Sequence, residues 1–119
     1  MRLNYKKAVI IGAAGLAIIF TAPQSTLAAA TGWQAVNNSW VYIDKDGGRH
    51  KGWIKTGDGY YYMDLSTGLM STGWKKINNK WYYFKSNGIM STGWLNADNT
   101  WYYNLNDGSL VQNSWLKLN

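Results

Sequence analysis

An all-β fold built from repeated hairpins is the fold class that this sequence predicts. A unit of 20 or 21 residues recurs four times after Thr31, and each copy opens on a tryptophan. Each copy also has an aromatic residue seven positions after this opener, with a pair of turn-forming residues between them. A repeat of this length indicates stacked supersecondary units that are buried by their neighbours. The openers are Trp33, Trp53, Trp74 and Trp94, and Trp115 begins a fifth, truncated copy.

The first 30 residues are predicted to be a secretory signal peptide that takes no part in the fold. Basic residues near the start precede an apolar run over residues 8–20, which is short for a membrane span. Small residues then suit cleavage after Ala30 or after Ala28. The predicted domains are a signal peptide over 1–30 and a repeat domain over 31–119, with no membrane span after cleavage. The repeats cover about 32–51, 52–72, 73–92 and 93–113, with a partial copy over 114–119.

The composition of the repeat domain argues against several classes of protein. Nine lysine and arginine residues stand against six aspartates, which leaves a net charge of +3 after residue 30 and does not indicate nucleic acid binding. The chain has no cysteine, so no disulfide framework contributes to stability. His50 is the single histidine and glutamate is absent, so we expect no enzyme, no metal site and no cofactor.

The turn-forming pair in each copy predicts a β-hairpin. Asn37 and Asn38 tolerate the positive φ that both central residues of a type I′ turn require. Counting outward from this pair places Trp33 opposite Tyr42 on the two strands. The equivalent pairs in the later copies are Gly57 with Asp58, Asn78 with Asn79, and Asp98 with Asn99.

A second turn and a short link follow each predicted hairpin. The turns end in Gly47, Gly68, Gly88 and Gly108. In the second and third copies, Met70 and Met90 lie two residues past the glycine. The short segments between glycines leave little room for a helix, so the expected architecture is a solenoid of hairpins.

The aromatic residues of each hairpin predict a binding face. Side chains alternate across a strand, so the opener, the aromatic seven residues later (+7) and the tyrosine nine residues later (+9) share one face. The tyrosine at +8 lies on the opposite face and is assigned to packing. Several rings around one point attract a quaternary ammonium through their negative π faces, and methionine is an adaptable wall for such a cage.

These residues carry a resemblance to a known family. The pattern over 73–94 is Gly-Trp, six residues, Trp-Tyr-Tyr, four residues, then Gly-x-Met-x-Thr-Gly-Trp. It resembles the choline-binding repeat of Gram-positive surface proteins and extends over essentially the whole repeat domain. The resemblance implies a left-handed β-solenoid in which choline groups of teichoic or lipoteichoic acid sit between consecutive hairpins. It also implies a secreted protein that is held non-covalently at the cell wall.

The resemblance implies two good choline sites and one weaker site. In the family, two aromatics come from one hairpin, a third from the next, and an apolar residue from the link. The sites assigned on this basis are Trp74, Trp81, Met90 and Tyr103, and then Trp53, Tyr60, Met70 and Tyr83. The weaker site is Trp33, Trp40 and Tyr62, because Arg49 stands where methionine is expected and would repel a cation. In each site the +9 tyrosine is preferred to the +8 tyrosine, although the sequence leaves open which of the two completes the cage. Copy four has Leu110 in place of methionine, so Trp94 and Trp101 are expected to cap the stack.

Carbohydrate binding is the alternative interpretation, since repeats of glucan-binding proteins resemble these hairpins and sugars also stack on aromatic rings. Sugar recognition needs polar side chains beside the ring. The asparagines that supply them here are already explained by turn chemistry. The expected partner is therefore choline-containing teichoic or lipoteichoic acid. The sequence leaves open whether the chain acts alone, as a homodimer or with another partner, or is a fragment of a longer gene.

Overall fold

The computed structural model describes residues 30–112, and these residues form eight short β-strands. The predicted signal peptide lies outside this range except for Ala30, as does the whole of the partial copy over 114–119 that contains Trp115. The strands are β1 (Gly32–Val36), β2 (Ser39–Ile43), β3 (Gly52–Thr56), β4 (Gly59–Met63), β5 (Gly73–Ile77), β6 (Lys80–Phe84), β7 (Gly93–Ala97) and β8 (Thr100–Asn104). Within 30–112 the model contains no helix with the length and apolar character needed to cross a membrane.

Consecutive strands pair as antiparallel hairpins in the predicted register. Trp33 lies opposite Tyr42 in the first hairpin, and the equivalent pairing recurs in the other three. Three of the turns have positive φ at both central residues, between 47 and 65°. These residues are Asn37, Asn38, Asn78, Asn79, Asp98 and Asn99. The predicted type I′ geometry is confirmed for these three hairpins.

The turn of the second hairpin differs from the prediction. Neither Gly57 nor Asp58 adopts positive φ, and the unusual backbone angle falls instead on Gly59, at 148°. The hydroxyl of Thr56 accepts a hydrogen bond from the amide of Asp58 at 3.3 Å, and this local bond favours a different turn. Glycine after the turn absorbs the change, so the strand register is preserved.

The links connect the hairpins by backbone hydrogen bonds. Each hairpin is a separate two-stranded sheet, and no ladder joins one sheet to the next within residues 30–112. Instead, the amide of Met70 donates to the carbonyl of Trp40, and Met90 donates likewise to Tyr60, both at 2.8 Å. Leu110 repeats this bond to Trp81. Each copy is thereby attached to the hairpin before it, which confirms the predicted all-β repeat of stacked hairpins; the left-handed sense of the solenoid stays an expectation of the family resemblance.

The core lies along the second strands of the hairpins. Phe84, Met63 and Val41 are fully buried, and Phe84 packs with Tyr62 and Ile77 in one cluster. The opener of each hairpin meets its own +9 tyrosine edge-on, with ring centroids between 4.9 and 5.3 Å apart. This pairing follows from the register, since the two residues are directly opposite across the strands. Much of the aromatic content is thus used within single hairpins.

His50 joins the first copy to the second. Its Nδ1 lies 3.0 Å from Oδ1 of Asp44, in the second turn of copy one, and its Nε2 lies 2.8 Å from the carbonyl oxygen of Trp53 in β3. Both oxygens are acceptors, so the doubly protonated imidazolium satisfies both contacts. The Trp53 carbonyl and the Asp44 carboxylate raise the pKa of His50 above 6.5, against the opposing effect of partial burial.

The His50 contacts predict a pH-dependent contribution to stability. Because the folded-state pKa is raised, this contribution is fully present below the unfolded value and is lost as the pH rises through the folded value. We expect His50→Gln to lower the free energy of unfolding at about pH 5.5 and to have a smaller effect at about pH 8.5. Urea unfolding of both proteins at the two pH values tests this. An equal difference at both values would contradict it.

Candidate ligand-binding cavities

Three aromatic cavities lie along the stack, each at a junction between consecutive hairpins. In each, the opener and the +7 aromatic come from one hairpin, and the +8 tyrosine and the link residue come from the next. Cage 1 is lined by Trp33, Trp40, Tyr61 and Met70; cage 2 by Trp53, Tyr60, Tyr82 and Met90; and cage 3 by Trp74, Trp81, Tyr102 and Leu110. Their volumes are about 350, 320 and 300 Å³. The repeat has therefore produced three cavities of nearly equal size.

Ring geometry is also the same in the three cages. The opener and the +8 tyrosine of the next hairpin meet edge to face, with centroids 4.7, 5.0 and 4.9 Å apart. The angles between the ring planes are 67, 72 and 69°. Steeply inclined rings of this kind are a favoured aromatic arrangement, and they form adjacent walls of a cavity.

Met70 and Met90, the methionines of the second and third links, are held in place by backbone contacts on two sides. The amide of Met70 donates to the Trp40 carbonyl, which carries the methionine back beneath the preceding hairpin. Its side chain then lies against Gly88 of the following copy, where an added Cβ would overlap Sδ. Met90 and Gly108 repeat this contact. Glycine at the second turn therefore leaves the space that the cage methionine occupies.

Polar side chains at the rim distinguish the cages from one another. Cage 1 is bordered by Asp58, Ser86 and Asn87, whereas cage 2 is bordered by Asn106 and Asp107. Cage 3 has Gln112 as its polar lining residue within the described range. The rims of cages 1 and 2 thus each carry one aspartate, whereas the described rim of cage 3 carries none, although the walls of the three cages are alike.

The carboxylate of Asp107 is ionised beside cage 2. Hydrogen bonds from the hydroxyl and the amide of Ser109, at 2.6 and 2.9 Å, lower the pKa of Asp107. Burial raises the pKa of Tyr82, and the negative charge of Asp107 raises it further. The carboxylate is therefore close enough for its field to act on a wall of the cage.

The methionines are grouped differently from the sequence-based assignment. Met70 was assigned to Trp53 and Tyr60, but it lines cage 1 with Trp33 and Trp40. Met90, assigned to Trp74 and Trp81, lines cage 2. The physical reason is the link hydrogen bond, which runs to the hairpin before the link's own copy. In the structure each methionine therefore lines the cage of the copy before the one to which the sequence-based assignment gave it.

The tyrosines also differ from the assignment. Tyr62 is buried in the core at 6% exposure, and Tyr83 and Tyr103 pack against the openers of their own hairpins. None of these three +9 tyrosines lines a cage. The +8 tyrosines do so because they point from the opposite face of the hairpin toward the preceding one. Sequence reasoning missed Tyr61, Tyr82 and Tyr102 as cage residues.

A signal for the +8 tyrosines was present in the sequence. The +8 residue is tyrosine in copies two, three and four, but it is Val41 in the first copy. The first copy has no preceding repeat, so its +8 residue completes no cage. Val41 is instead 1% exposed in the core.

Arg49 does not line cage 1. Its side chain lies against Gly68, and its Nη1 donates to the carbonyl of Thr67 at 3.0 Å. Met70 occupies the link position of cage 1 instead. The expected repulsion between Arg49 and a cation bound by Trp33 and Trp40 therefore has no basis in the structure.

The fourth hairpin carries an opener and a +7 aromatic, the two residues that the first hairpin of a cage supplies. Trp94 and Trp101 are 57% and 64% exposed, with ring centroids 6.4 Å apart. The residues that follow Gln112 lie outside the described range. Across residues 30–112, no group of three or more histidine, cysteine, aspartate and glutamate residues is arranged to hold a metal ion.

A family model for the choline-binding repeat matches this chain over residues 30–72 and 71–115. The two matches together extend over most of the sequence. The chain belongs to the choline-binding repeat family. A comparison with curated proteins found no match.

Solved structures of choline-binding proteins share the fold. CbpJ from Streptococcus pneumoniae is 41% identical with a TM-score of 0.70, and choline binding protein F from the same species is 40% identical with a TM-score of 0.69. Each alignment covers 76% of this chain but 31% and 30% of those proteins. The pneumococcal cell wall endolysin from phage Cp-1, in complex with choline, is 34% identical with a TM-score of 0.61, over 76% of this chain and 27% of that one. The chain thus spans less than a third of these relatives.

The contact between Gly108 and Met90 predicts that these choline-binding repeats lose stability when Gly108 is replaced by a larger residue. Gly108 has a φ of 87°, and a Cβ there would overlap the Met90 side chain in cage 2. We expect Gly108→Ala to lower the free energy of unfolding by about 1 kcal/mol or more. The matched control is Gly57→Ala, since Gly57 has no atom within 4 Å of a Cβ and no positive φ. Equal unfolding midpoints for the two variants would contradict the argument.

Proposed function

We propose that this protein is a non-catalytic module that binds choline groups of teichoic or lipoteichoic acid through cages 1, 2 and 3. The observation that carries the proposal is the threefold recurrence of one cage, with three rings and an apolar link residue at each junction. A single cavity of this kind has many explanations. Three alike in one short chain suit a polymer with a repeated ligand.

Cation binding is the chemistry that suits these walls. A quaternary ammonium within reach of three ring faces gains about 0.5–2 kcal/mol from each, and its methyl groups lose contact with water. Methionine in cages 1 and 2 adds a polarisable wall, and leucine replaces it in cage 3. The sum, about 3–6 kcal/mol, corresponds to a millimolar-scale dissociation constant for one cage. Attachment to a wall then depends on several cages acting on one polymer.

The proposed location is the bacterial surface. Export by the predicted signal peptide and choline-dependent retention would hold the chain non-covalently at the cell wall. The endolysin relative is itself described as a cell wall enzyme in complex with choline. Catalysis is not part of the proposal for this chain, because His50 is engaged in hairpin packing and lies in none of the cages.

Retention on an immobilised quaternary amine tests the proposed function directly. We expect the protein to bind this resin at moderate salt and to elute with free choline at millimolar concentration, because each cage alone is weak. Glucan oligosaccharides serve as the competing ligand, since amides at the rims of cages 1 and 2 offer polar partners for a sugar. Elution by glucan and not by choline would favour the carbohydrate alternative.

Met70 tests the assignment of residues to cages. Met70→Ala removes one apolar wall of cage 1, whose contact with choline contributes about 1 kcal/mol to the binding free energy. The choline dissociation constant of cage 1 should therefore rise about fivefold. The indole N–H signals of Trp33 and Trp53 report cages 1 and 2 separately in an NMR titration with choline. We expect the Trp33 signal to show the weaker binding and the Trp53 signal to be unaffected.

The opposite outcome for Met70→Ala would contradict the placement of Met70 in cage 1. Weaker binding at Trp53 with no change at Trp33 would restore the sequence-based grouping of Met70 with Trp53 and Tyr60. The matched control is Leu65→Ala, because Leu65 is exposed and lines none of the three cages. This variant should leave both signals unchanged.

A further inference from the structure

Cages 1 and 2 are each bordered by a third repeat. The second turn of copy three brings Ser86 and Asn87 to the rim of cage 1. The second turn of copy four brings Asn106 and Asp107 to the rim of cage 2. Part of each rim therefore comes from the copy two positions beyond the opener, and Asp58 of copy two adds to the rim of cage 1.

Asn87 and Asp107 occupy equivalent positions, thirteen residues after their openers. Each accepts a turn hydrogen bond through its side-chain oxygen, from Ile89 at 3.0 Å and from Ser109 at 2.9 Å. Asp46 does the same in the first copy, where it accepts from Gly48 at 2.8 Å. An amide satisfies this turn as well as a carboxylate does, so the fold does not require the charge of Asp107.

We propose that Asp107 is a specificity-determining residue that makes cage 2 prefer a cationic ligand over a neutral ligand of the same shape. This inference rests on the proposed function, in which the cages receive a trialkylammonium group. Aromatic walls bury methyl groups whether or not the central atom is charged. A carboxylate at the rim acts on the charge alone.

Charged groups of both signs lie around cage 2. Lys55 places its Nζ 5.7 Å from the ring centroid of Tyr60, a cage wall, and its positive charge opposes a cationic ligand. Asp107 supplies the opposite charge at the rim of the same cavity, and the charge of Lys80 helps to keep it ionised. In cage 2 the charge of Asp107 thus opposes the effect of Lys55 on a cationic ligand.

Among the described residues, cages 1 and 3 do not combine a lysine beside an aromatic wall with a carboxylate at the rim, as cage 2 does. Cage 1 has Asp58 at its rim and Ala35 opposite Trp40, where cage 2 has Lys55 opposite Tyr60. Cage 3 has Lys76 with its Nζ 6.0 Å from the Trp81 ring, and its described lining contains no carboxylate. The preference for a charged ligand should therefore be strongest in cage 1 and weakest in cage 3.

A pair of isosteric ligands isolates the effect of charge. Choline is compared with dimethylbutanol, in which a carbon atom replaces the ammonium nitrogen. Titrations of the whole protein are followed at the indole N–H of Trp53 for cage 2, with Trp33 and Trp74 as internal references. For Asp107→Asn, we expect the choline dissociation constant at Trp53 to rise about threefold or more, since a nearby opposite charge is lost. The constant for dimethylbutanol should stay the same.

The reciprocal substitution and a matched control complete the design. Asn87→Asp adds a carboxylate to cage 1 and should tighten choline binding at Trp33 by about threefold. Asp46→Asn makes the same chemical change as Asp107→Asn at the equivalent turn of copy one, where the residue lines no cage. It should change neither ligand's constant at Trp53.

Two results would overturn the inference. Unchanged choline binding at Trp53 in Asp107→Asn would show that the carboxylate does not act on the cage. An equal loss of choline and dimethylbutanol would show that Asp107 acts through the shape of the cavity and not through its charge. Failure of the proposed function looks different, because the unsubstituted protein would then bind choline at none of the three tryptophans.

Discussion

The backbone hydrogen bond from each link to the +7 carbonyl of the preceding hairpin is the constraint on which the rest of the structure depends. No strand ladder joins the four described hairpins, so the bond from Met70 to Trp40 and its two successors set how one unit meets the next. The same bond carries the link side chain beneath the rings of the previous copy. Stacking and cage formation are therefore one event, and a change in the link geometry would alter both.

The walls and the rims of the cages are under different structural constraints. The walls come from two adjacent copies and are nearly the same at each junction, whereas polar residues of a turn one copy further on contribute to the rim. Walls are constrained by packing, since Tyr82 touches both Trp53 and the buried cluster around Phe84. Rim residues such as Asp107 satisfy a local turn and are otherwise free to differ. A repeat of this design tunes individual sites without disturbing the stack.

Local features of the fold were predictable because they depend on residues near one another in sequence. Asn78 and Asn79 specify a tight turn through their own backbone preferences, and the strand register follows by counting. The second hairpin departed from its predicted turn because the Thr56 hydroxyl competes for a turn amide. Its register survived, since the number of residues in the turn did not change. Alternation along the strand also placed Trp53 and Tyr62 on one face correctly.

The repeat, the hairpins, their register and the residue types that line an aromatic cavity all follow from the amino-acid sequence. Which copies share a cavity depends on how the hairpins stack. Met70 and Trp40 are 30 residues apart, and nothing in their local patterns states that the link of one copy bonds to the hairpin of the copy before it. The same stacking of hairpins places Tyr61 in the wall of cage 1. It places the side chain of Arg49 against Gly68, outside that cage. The physical reason is that inter-repeat contacts depend on the direction and offset of stacking, which short-range backbone preferences do not encode.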